Sequence, residues 1–406
     1  MKKDTGQKFK ILIVDDNPNN IQVVGSILRE NEYAIGYAMD GQQAIEILKN
    51  NPDYDLVLLD VDMPLMNGFE TCRQIREDSK LKDLPVIFLT AFSDQNRILE
   101  GFDAGAMDYI TKPFNSKELI ARVNTHLKLK YKTEQVDSIN KLLEQSNREI
   151  TDSIMYASYI QFGLLPEKQI LKEKIPDHFI FYKPRNIVSG DFYWFCVKEN
   201  LLYIAAADCT GHGVPGAFVS ILGISSMNEI VKDPLNLTPA EFLGKLRTKI
   251  LDSLWRQHPE SVTNDGIELA ICIIDLNSYK IQYAGASRPL TIVRENEFTG
   301  NHEILEIKGD NLPIGIFRVE DKNFTNHCLN LRHNDSIYIY SDGFASQFGG
   351  QKNRKFSTKQ LKELFLEIHE NPMETQKILL DKAFNEWKGD LMQTDDILVI
   401  GIKLSW

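Results

Sequence analysis

Between residues 8 and 128 five short apolar runs, FKILIVDD, YAIGYAMD, YDLVLLDVD, PVIFLTAF and MDYITKPF, alternate with segments whose apolar residues recur at helical spacing. Few folds accept that order. Strands separated by helices join as parallel crossovers, and parallel sheets are covered on both faces, so the pattern predicts a doubly wound five-stranded α/β domain over residues 1–128. Polar residues end the runs: Asp15 and Asp16, Asp60, Thr90 and Lys112. In an open α/β sheet ligands bind at the carboxyl ends of the strands, so these groups converge on one edge although they are far apart in sequence.

From 129 to 165 strand signals stop and Leu129, Val136, Ile139, Leu143 and Ile150 fall at a/d heptad spacing. After a shift of four residues the stripe continues through Ile154, Ala157 and Leu164, the signature of a stutter. The spacing predicts a helical linker ended by Pro166. It is either a coiled coil between two copies or an amphipathic helix packed on its own domain, and Ser146 and Ser153 at seam positions weigh against the first. From 166 to 406 strands joined mostly by turns take over, in FIFYKP, GDFYWFCV, LLYIAAAD, IELAICIID, KIQYAGA, PLTIVRE, DSIYIYSD and DDILVIGIKL. Helical patterns near 215–231, 238–257, 357–370 and 373–388 are inserted among them. Many strands with few helices predict two packed sheets with helices outside, an α/β/β/α sandwich.

Charge narrows the class of partner. With 46 Lys+Arg against 57 Asp+Glu the net charge is −11, which argues against coating nucleic acid or an anionic membrane. Five cysteines, widely spaced and without a CxxC pair, fit neither a disulfide framework nor a zinc knuckle and suit a reducing cytoplasm. The N-terminal MKKDTGQKFK has no apolar secretory core, and no stretch is long and apolar enough to span a bilayer.

Three carboxylates at a sheet edge make a hard-oxygen site suited to Mg²⁺. An aspartate beside that ion can accept a phosphoryl group, because cations neutralise charge on the transferring oxygens. Asp60 is the acceptor candidate, Thr90 and Lys112 candidate contacts for the phosphate, and Lys112-Pro113 a candidate cis bond. IVDDN, LLDVDMPLMNG, LTA and YITKPF, in this order, resemble the receiver domain of bacterial response regulators. The resemblance implies phosphorylation at Asp60 and an Mg²⁺ site of Asp15, Asp16 and the Asp62 carbonyl. It also implies phosphate contacts from Thr90 and Lys112, Tyr109 as the switch aromatic, and a sensor histidine kinase as phosphodonor.

Downstream, Asp191, Asp208, Asp342 and the Asp395-Asp396 pair again sit where strands meet turns. With no matching cations in their motifs, these carboxylates would repel one another unless divalent ions joined them. Two such ions form a hydrolytic site for in-line attack on phosphorus. GDFYW, DCTGHGVPGAF, YAGASRPL, GDNLPIGI, YSDGF and TDDILVIGIK together resemble a PPM-type (protein phosphatase 2C-like) domain of the SpoIIE-like branch, over residues 166–406. The resemblance implies Asp191, Asp208, Asp342 and Asp395 as catalytic ligands of two Mn²⁺ or Mg²⁺, with the Cys209 carbonyl completing one shell and Asp396 as a buttress. It also implies a phosphoserine or phosphothreonine protein substrate, a STAS-type anti-sigma-factor antagonist. Ser287 and Arg288 replace the branch's usual GHNP, Ser346 stands near the place of a common glutamate, and Leu398 replaces a threonine.

His212 is a candidate general acid, or a turn histidine bonded to backbone; Lys183 and Arg185 are candidate phosphate contacts, or solvated loop cations. The three parts predict a response regulator in which Asp60 phosphorylation controls a phosphatase output, dimeric if residues 129–165 pair. The competing reading is a phosphorylation-gated scaffold, a pseudophosphatase that sequesters a partner.

Overall fold

The computed structural model describes residues 7–91, 95–255, 266–297, 299–315 and 323–404; the first six residues, the end of PVIFLTAF at Phe92 and the expected helix end at 256–257 lie outside these. The chain divides into two compact units, 1–147 and 148–406.

In the first unit strands β1 (Lys10–Val14), β2 (Ala34–Ala38), β3 (Leu56–Asp60), β4 (Val86–Thr90) and β5 (Asp108–Thr111) alternate with helices α1 (Pro18–Glu30), α2 (Gly41–Asn50), α3 (Gly68–Glu77) and α4 (Gln95–Asp103). All pairings are parallel, in the order β2-β1-β3-β4-β5. Alternate residues of β1 and β3 feed opposite faces: Leu12, Val14, Val57 and Leu59 pack under α2 and α3, whereas Ile11, Ile13, Leu56 and Leu58 pack on the other side. Helix starts are set locally. Asp40 caps α2 through the Gln43 amide at 2.8 Å, and Asn67 with Glu70 forms a reciprocal capping box on α3.

Helix α5 (Ser116–Leu164) is a single helix of 49 residues; it contains the expected helical linker but begins before residue 129, inside the first unit. Its first turns bury Leu119, Val123 and Leu127 in the first unit. No proline and only Gly163 interrupt the sequence up to Leu164, so nothing stops the helix at residue 129. Leu129, Val136, Ile139, Leu143 and Ile150 of the heptad stripe are exposed.

The second unit opens with α6 (Lys168–Lys174), β6 (His178–Lys183), β7 (Phe192–Lys198) and β8 (Leu201–Cys209), followed by α7 (Val214–Ile230) and α8 (Pro239–Trp255). Then come β9 (Gly266–Asp275), β10 (Lys280–Ala286), β11 (Leu290–Glu295), β12 (His302–Ile307), β13 (Ile314–Gly315), β14 (His327–Asn330) and β15 (Ser336–Tyr340). The unit ends with α9 (Gly343–Ser346), the hairpin β16 (Phe348–Gly349) and β17 (Arg354–Lys355), α10 (Thr358–Ile368), α11 (Met373–Lys388) and β18 (Ile397–Lys403). One antiparallel sheet has the order β14-β10-β9-β8-β7 with β13 on β9, the other β12-β11-β15-β18-β6.

Strand periodicity of two decides the layers. On β8, Leu202, Ile204 and Ala206 meet Leu398, Ile400 and Ile402 of β18 between the sheets. Tyr203, Ala205, Ala207 and Cys209 face α7 and α8, and Ile397 and Val399 face α10 and α11. This is the expected α/β/β/α sandwich. Beyond the expected elements the unit has α6, β12 to β14, α9 and the β16–β17 hairpin; α9 has four residues and β13, β16 and β17 two each, too few to show a period.

Candidate functional site

The first unit gathers its polar strand ends. Lys112 Nζ lies 2.9 Å from both Asp15 Oδ2 and Asp60 Oδ2. Asp15, Asp60 and Thr90 are buried, Asp16 is exposed, and carboxylate oxygens of Asp15, Asp16 and Asp60 come within 4.8 Å of one another. Asp15 is held by the Asn17 amide at 2.9 Å and by Asn20 Nδ2 at 3.0 Å, a contact the sequence reading missed. Burial raises the Asp60 pKa against the lowering hydrogen bond from Lys112, and Asp15 adds to the rise. Burial works against the Lys112 charge, but the two carboxylates outweigh it and raise its pKa.

Gly68 is required here because a Cβ would stand 2.3 Å from the Asp60 carbonyl oxygen, so the α3 start closes directly on the strand end carrying Asp60. Lys112-Pro113 is cis. Thr90 accepts the Lys112 amide on its carbonyl at 2.7 Å. Tyr109 is half-buried beside Phe102, under the Arg122 guanidinium at 5.6 Å. Thr90 and Tyr109 both line a cavity of about 20 Å³. Asp62 is exposed in the loop after β3.

In the second unit the inner faces of the sandwich run out into acid at one end. Asp191 and Asp208 continue the inner-face parity of Tyr193 and of Ala206, and Glu268 that of Ala270. Asp208 and Glu268 are directly opposed in the β8–β9 register, a like-charge pairing that destabilises a bare sheet. Arg288, in the turn between β10 and β11, resolves it. One guanidinium nitrogen lies 2.5 Å from Asp208 Oδ2, 2.8 Å from Glu268 Oε2 and 3.6 Å from Asp342 Oδ1. The Arg288 carbonyl is fixed by the Tyr283 hydroxyl at 2.5 Å. Glu268 lies in the apolar run IELAICIID and Arg288 in the motif YAGASRPL, and nothing in the linear pattern puts this cation among these acids.

Asp191 is 2% exposed, and its Oδ2 is buried without a hydrogen-bond partner. Burial and the Asp208 charge push its carboxyl well above the usual range. Asp208 is pushed up to about 7 by burial, against Arg288 and with Asp342 and Asp395 adding to the rise. Burial raises Asp395 as well, with the Asp396 amide and His212 opposing it and Asp342 adding to it. This set of oxygen donors, one of them buried and unmatched, fits divalent cations.

Backbone closeness shapes the remainder. Asp396 Oδ1 accepts the Arg185 amide at 2.6 Å and Oδ2 the Gly190 amide at 2.7 Å; the Asp396 amide bonds Asp395 Oδ1 at 2.9 Å. Asp396 thus anchors the loop leading into Asp191 as well as supporting Asp395. At Gly190 a Cβ would meet the Gly211 carbonyl at 2.6 Å and the Cys209 carbonyl at 3.2 Å, which brings the turn after β8 against Asp191. Ser346 Oγ bonds Asp342 Oδ2 at 3.3 Å. Gln161 near the end of α5 is buried; its Nε2 donates to the Ser189 carbonyl at 2.6 Å and Ser220 Oγ at 2.7 Å, while its Oε1 accepts the Ser189 amide at 3.1 Å.

His212 and Arg185 are exposed. Lys183 is committed elsewhere, to Asp381 at 3.0 Å and Asn385 at 3.2 Å. That pairing accounts for its charge without a phosphate ligand.

The response regulator receiver domain family matches residues 11–124, and stage II sporulation protein E (SpoIIE) matches residues 198–405. The transcriptional regulatory protein YvrH of Bacillus subtilis (strain 168) is 45% identical over 133 residues, 32% of this chain and 54% of that protein. A probable cyclic di-GMP phosphodiesterase of Vibrio cholerae is 28% identical over 315 residues, 75% of this chain and 65% of that protein. The chain thus spans about half to two thirds of the length of these curated relatives. The SiaA-PP2C domain of Pseudomonas aeruginosa superposes with a TM-score of 0.57 at 27% identity, over 64% of this chain and 99% of that one. Since the SpoIIE match takes in just over half of the 406 residues, the chain belongs to the SpoIIE family of PPM-type, PP2C-like phosphatase domains and carries a response regulator receiver domain on its N-terminal side.

Proposed function

We propose that this chain is a response regulator whose output is metal-dependent hydrolysis of phosphoserine or phosphothreonine on a protein, with bounds of 1–128 for the receiver, 129–165 for the linker and 166–406 for the phosphatase. One observation carries the reading: at one end of the sandwich Asp191, Asp208, Asp342 and Asp395 are near enough for their charges to act on one another, and Asp191 holds a buried, unmatched carboxylate oxygen.

These four aspartates and the Cys209 carbonyl would hold two Mn²⁺ or Mg²⁺, which when bound supply Lewis-acid stabilisation to the attacking and leaving oxygens. Asp396 and Gly190 set where Asp191 stands, and Ser346 orients Asp342. Arg288 cancels repulsion between Asp208 and Glu268 and puts a cation beside the reacting centre. In the receiver, Asp15, Asp16 and the Asp62 carbonyl would hold Mg²⁺. Asp60 takes the phosphoryl group from a histidine kinase, Lys112 and Thr90 bind its oxygens, and Tyr109 turns toward Thr90.

Control passes through α5. Its exposed heptad stripe pairs two copies, and Gln161 ties its far end to Ser189, two residues before Asp191. The substrate is a STAS-type phosphoprotein, and the setting is the cytoplasm, where the five free thiols stay reduced. Among the described residues no helix is long and apolar enough to cross a membrane.

One observation favours the rival scaffold reading: Arg288 already neutralises part of the acid cluster. Hydrolysis of p-nitrophenyl phosphate separates the two. The phosphatase reading expects Mn²⁺-dependent turnover lost in Asp208→Asn and Asp342→Asn. Absence of turnover on this compound and on a phosphoserine protein would leave the scaffold.

A further inference from the structure

The geometry points to a separate site for a borderline-soft divalent ion, Zn²⁺ by chemistry, made by His302, His369 and Glu370 on the outer helical layer of the second unit. His302 opens edge strand β12, and His369 follows directly on α10. The ring centroids are 4.1 Å apart. One donor atom from each of the three residues lies within 4.8 Å of the others, and His302 Nδ1 stands 3.9 Å from Glu370 Oε1.

The second observation is the state of His369. It is 6% exposed, and its Nδ1 is 2.7 Å from the Leu366 carbonyl. A carbonyl only accepts, so Nδ1 carries the proton, and because burial favours the neutral ring Nε2 keeps its lone pair. That Nε2 is buried with no hydrogen-bond partner. Imidazole fixed through one nitrogen by a backbone carbonyl, with the other left open, is the usual arrangement of a metal-bound histidine. A simple ion pair between protonated His302 and Glu370 would leave His369 Nε2 unmatched. Lys403 approaches at 3.4 Å, but it donates to the His369 carbonyl rather than to the ring.

Two imidazoles and a carboxylate suit zinc better than Mg²⁺. Bonds of ~2.0–2.1 Å place tetrahedral ligands roughly 3.3 Å apart, so the trio closes slightly on binding. Glu370 is solvent-exposed and His302 half-buried, and both can make that adjustment. Register separates this site from the phosphatase acids: His302 pairs with Glu295, whereas the acid end of that sheet lies at the Leu290–Ile307 pair. The ion would clip the end of α10 to an edge strand and leave one position for water.

The test uses the full chain with excess Mg²⁺ on the oxygen sites, loaded with Zn²⁺, desalted and assayed for zinc per chain; Co²⁺ replaces Zn²⁺ for a visible spectrum. The wild type should retain one more zinc than His369→Gln or His302→Asn, and only it should show the intense tetrahedral cobalt bands. Equal zinc content and equal spectra in all three would overturn the site. If His369→Gln fails to fold, His302→Asn and Glu370→Gln, both at solvent-reaching positions, carry the same comparison.

Discussion

Asp396→Asn separates a loop anchor from a metal ligand, because the change keeps shape and removes one acceptor. Asp396 is 2% exposed and accepts two backbone amides, from Arg185 at 2.6 Å and Gly190 at 2.7 Å. In the amide, one of these N–H groups faces an N–H₂. A charge-assisted bond worth about 1.5–3 kcal/mol is lost and a buried donor is left unmatched at about 1–3 kcal/mol. Part of that cost is relieved by shifting residues 185–190, and Asp191 shifts with them. Loss of a partner that orients a metal ligand lowers metal affinity about 10–100-fold, or about 1.4–2.8 kcal/mol of that total. Mn²⁺ titration of turnover, with calorimetry as the direct measurement, should show a weaker apparent Kd by that factor and a kcat at saturating Mn²⁺ close to wild type. An unchanged Kd would refute the anchoring argument. Loss of turnover that no Mn²⁺ concentration restores would make Asp396 a ligand instead.

Other consequences follow from the same contacts. Arg288→Ala strips the cation from a half-buried acid cluster, and without metal the second unit should lose about 1–3 kcal/mol, less than a fully buried pair because Glu268 and Asp342 reach solvent, read by denaturant unfolding in EDTA; Mn²⁺ should recover most of it, and equal losses with and without Mn²⁺ would contradict this role. Burial pushes the folded Asp208 carboxyl up to about 7 and Asp191 well above the usual range, so the native state binds more protons than the unfolded chain. Metal-free stability should therefore fall as pH rises from about 4 through about 7, a trend that saturating Mn²⁺ removes; urea midpoints at pH 5 and 8 in EDTA check the sign. Gly190→Ala places a Cβ 2.6 Å from the Gly211 carbonyl, and should cost at least tenfold in turnover with the fold retained by circular dichroism.

Much of this arrangement was legible in sequence because strands are short and their ends are marked. Aspartates at the ends of apolar runs gave both acid clusters, and helix ranges such as 373–388 coincide with those observed. Contacts that depend on register between distant strands were not legible. Glu268 reads as one polar residue in an apolar strand until β8 and β9 are aligned and it falls opposite Asp208. Arg288 reads as a loop cation until the Tyr283 hydroxyl fixes its backbone beside Asp208. Lys183 illustrates the converse, since its partners Asp381 and Asn385 lie on a helix nearly 200 positions later. The unbroken α5 was recoverable from the lack of proline between 116 and 164, a signal overridden by the change of hydrophobic period near 129.

The central claim is that the receiver controls the phosphatase, and it is tested most directly by phosphate release from a phosphoserine STAS-type protein, with Mn²⁺, before and after phosphorylation of Asp60 by a small phosphodonor. The account predicts Mn²⁺-dependent release whose rate changes on phosphorylation in the wild type and stays constant in Asp60→Asn. Equal rates in the wild type with and without the phosphodonor, once Asp60 is shown to be phosphorylated, would contradict it.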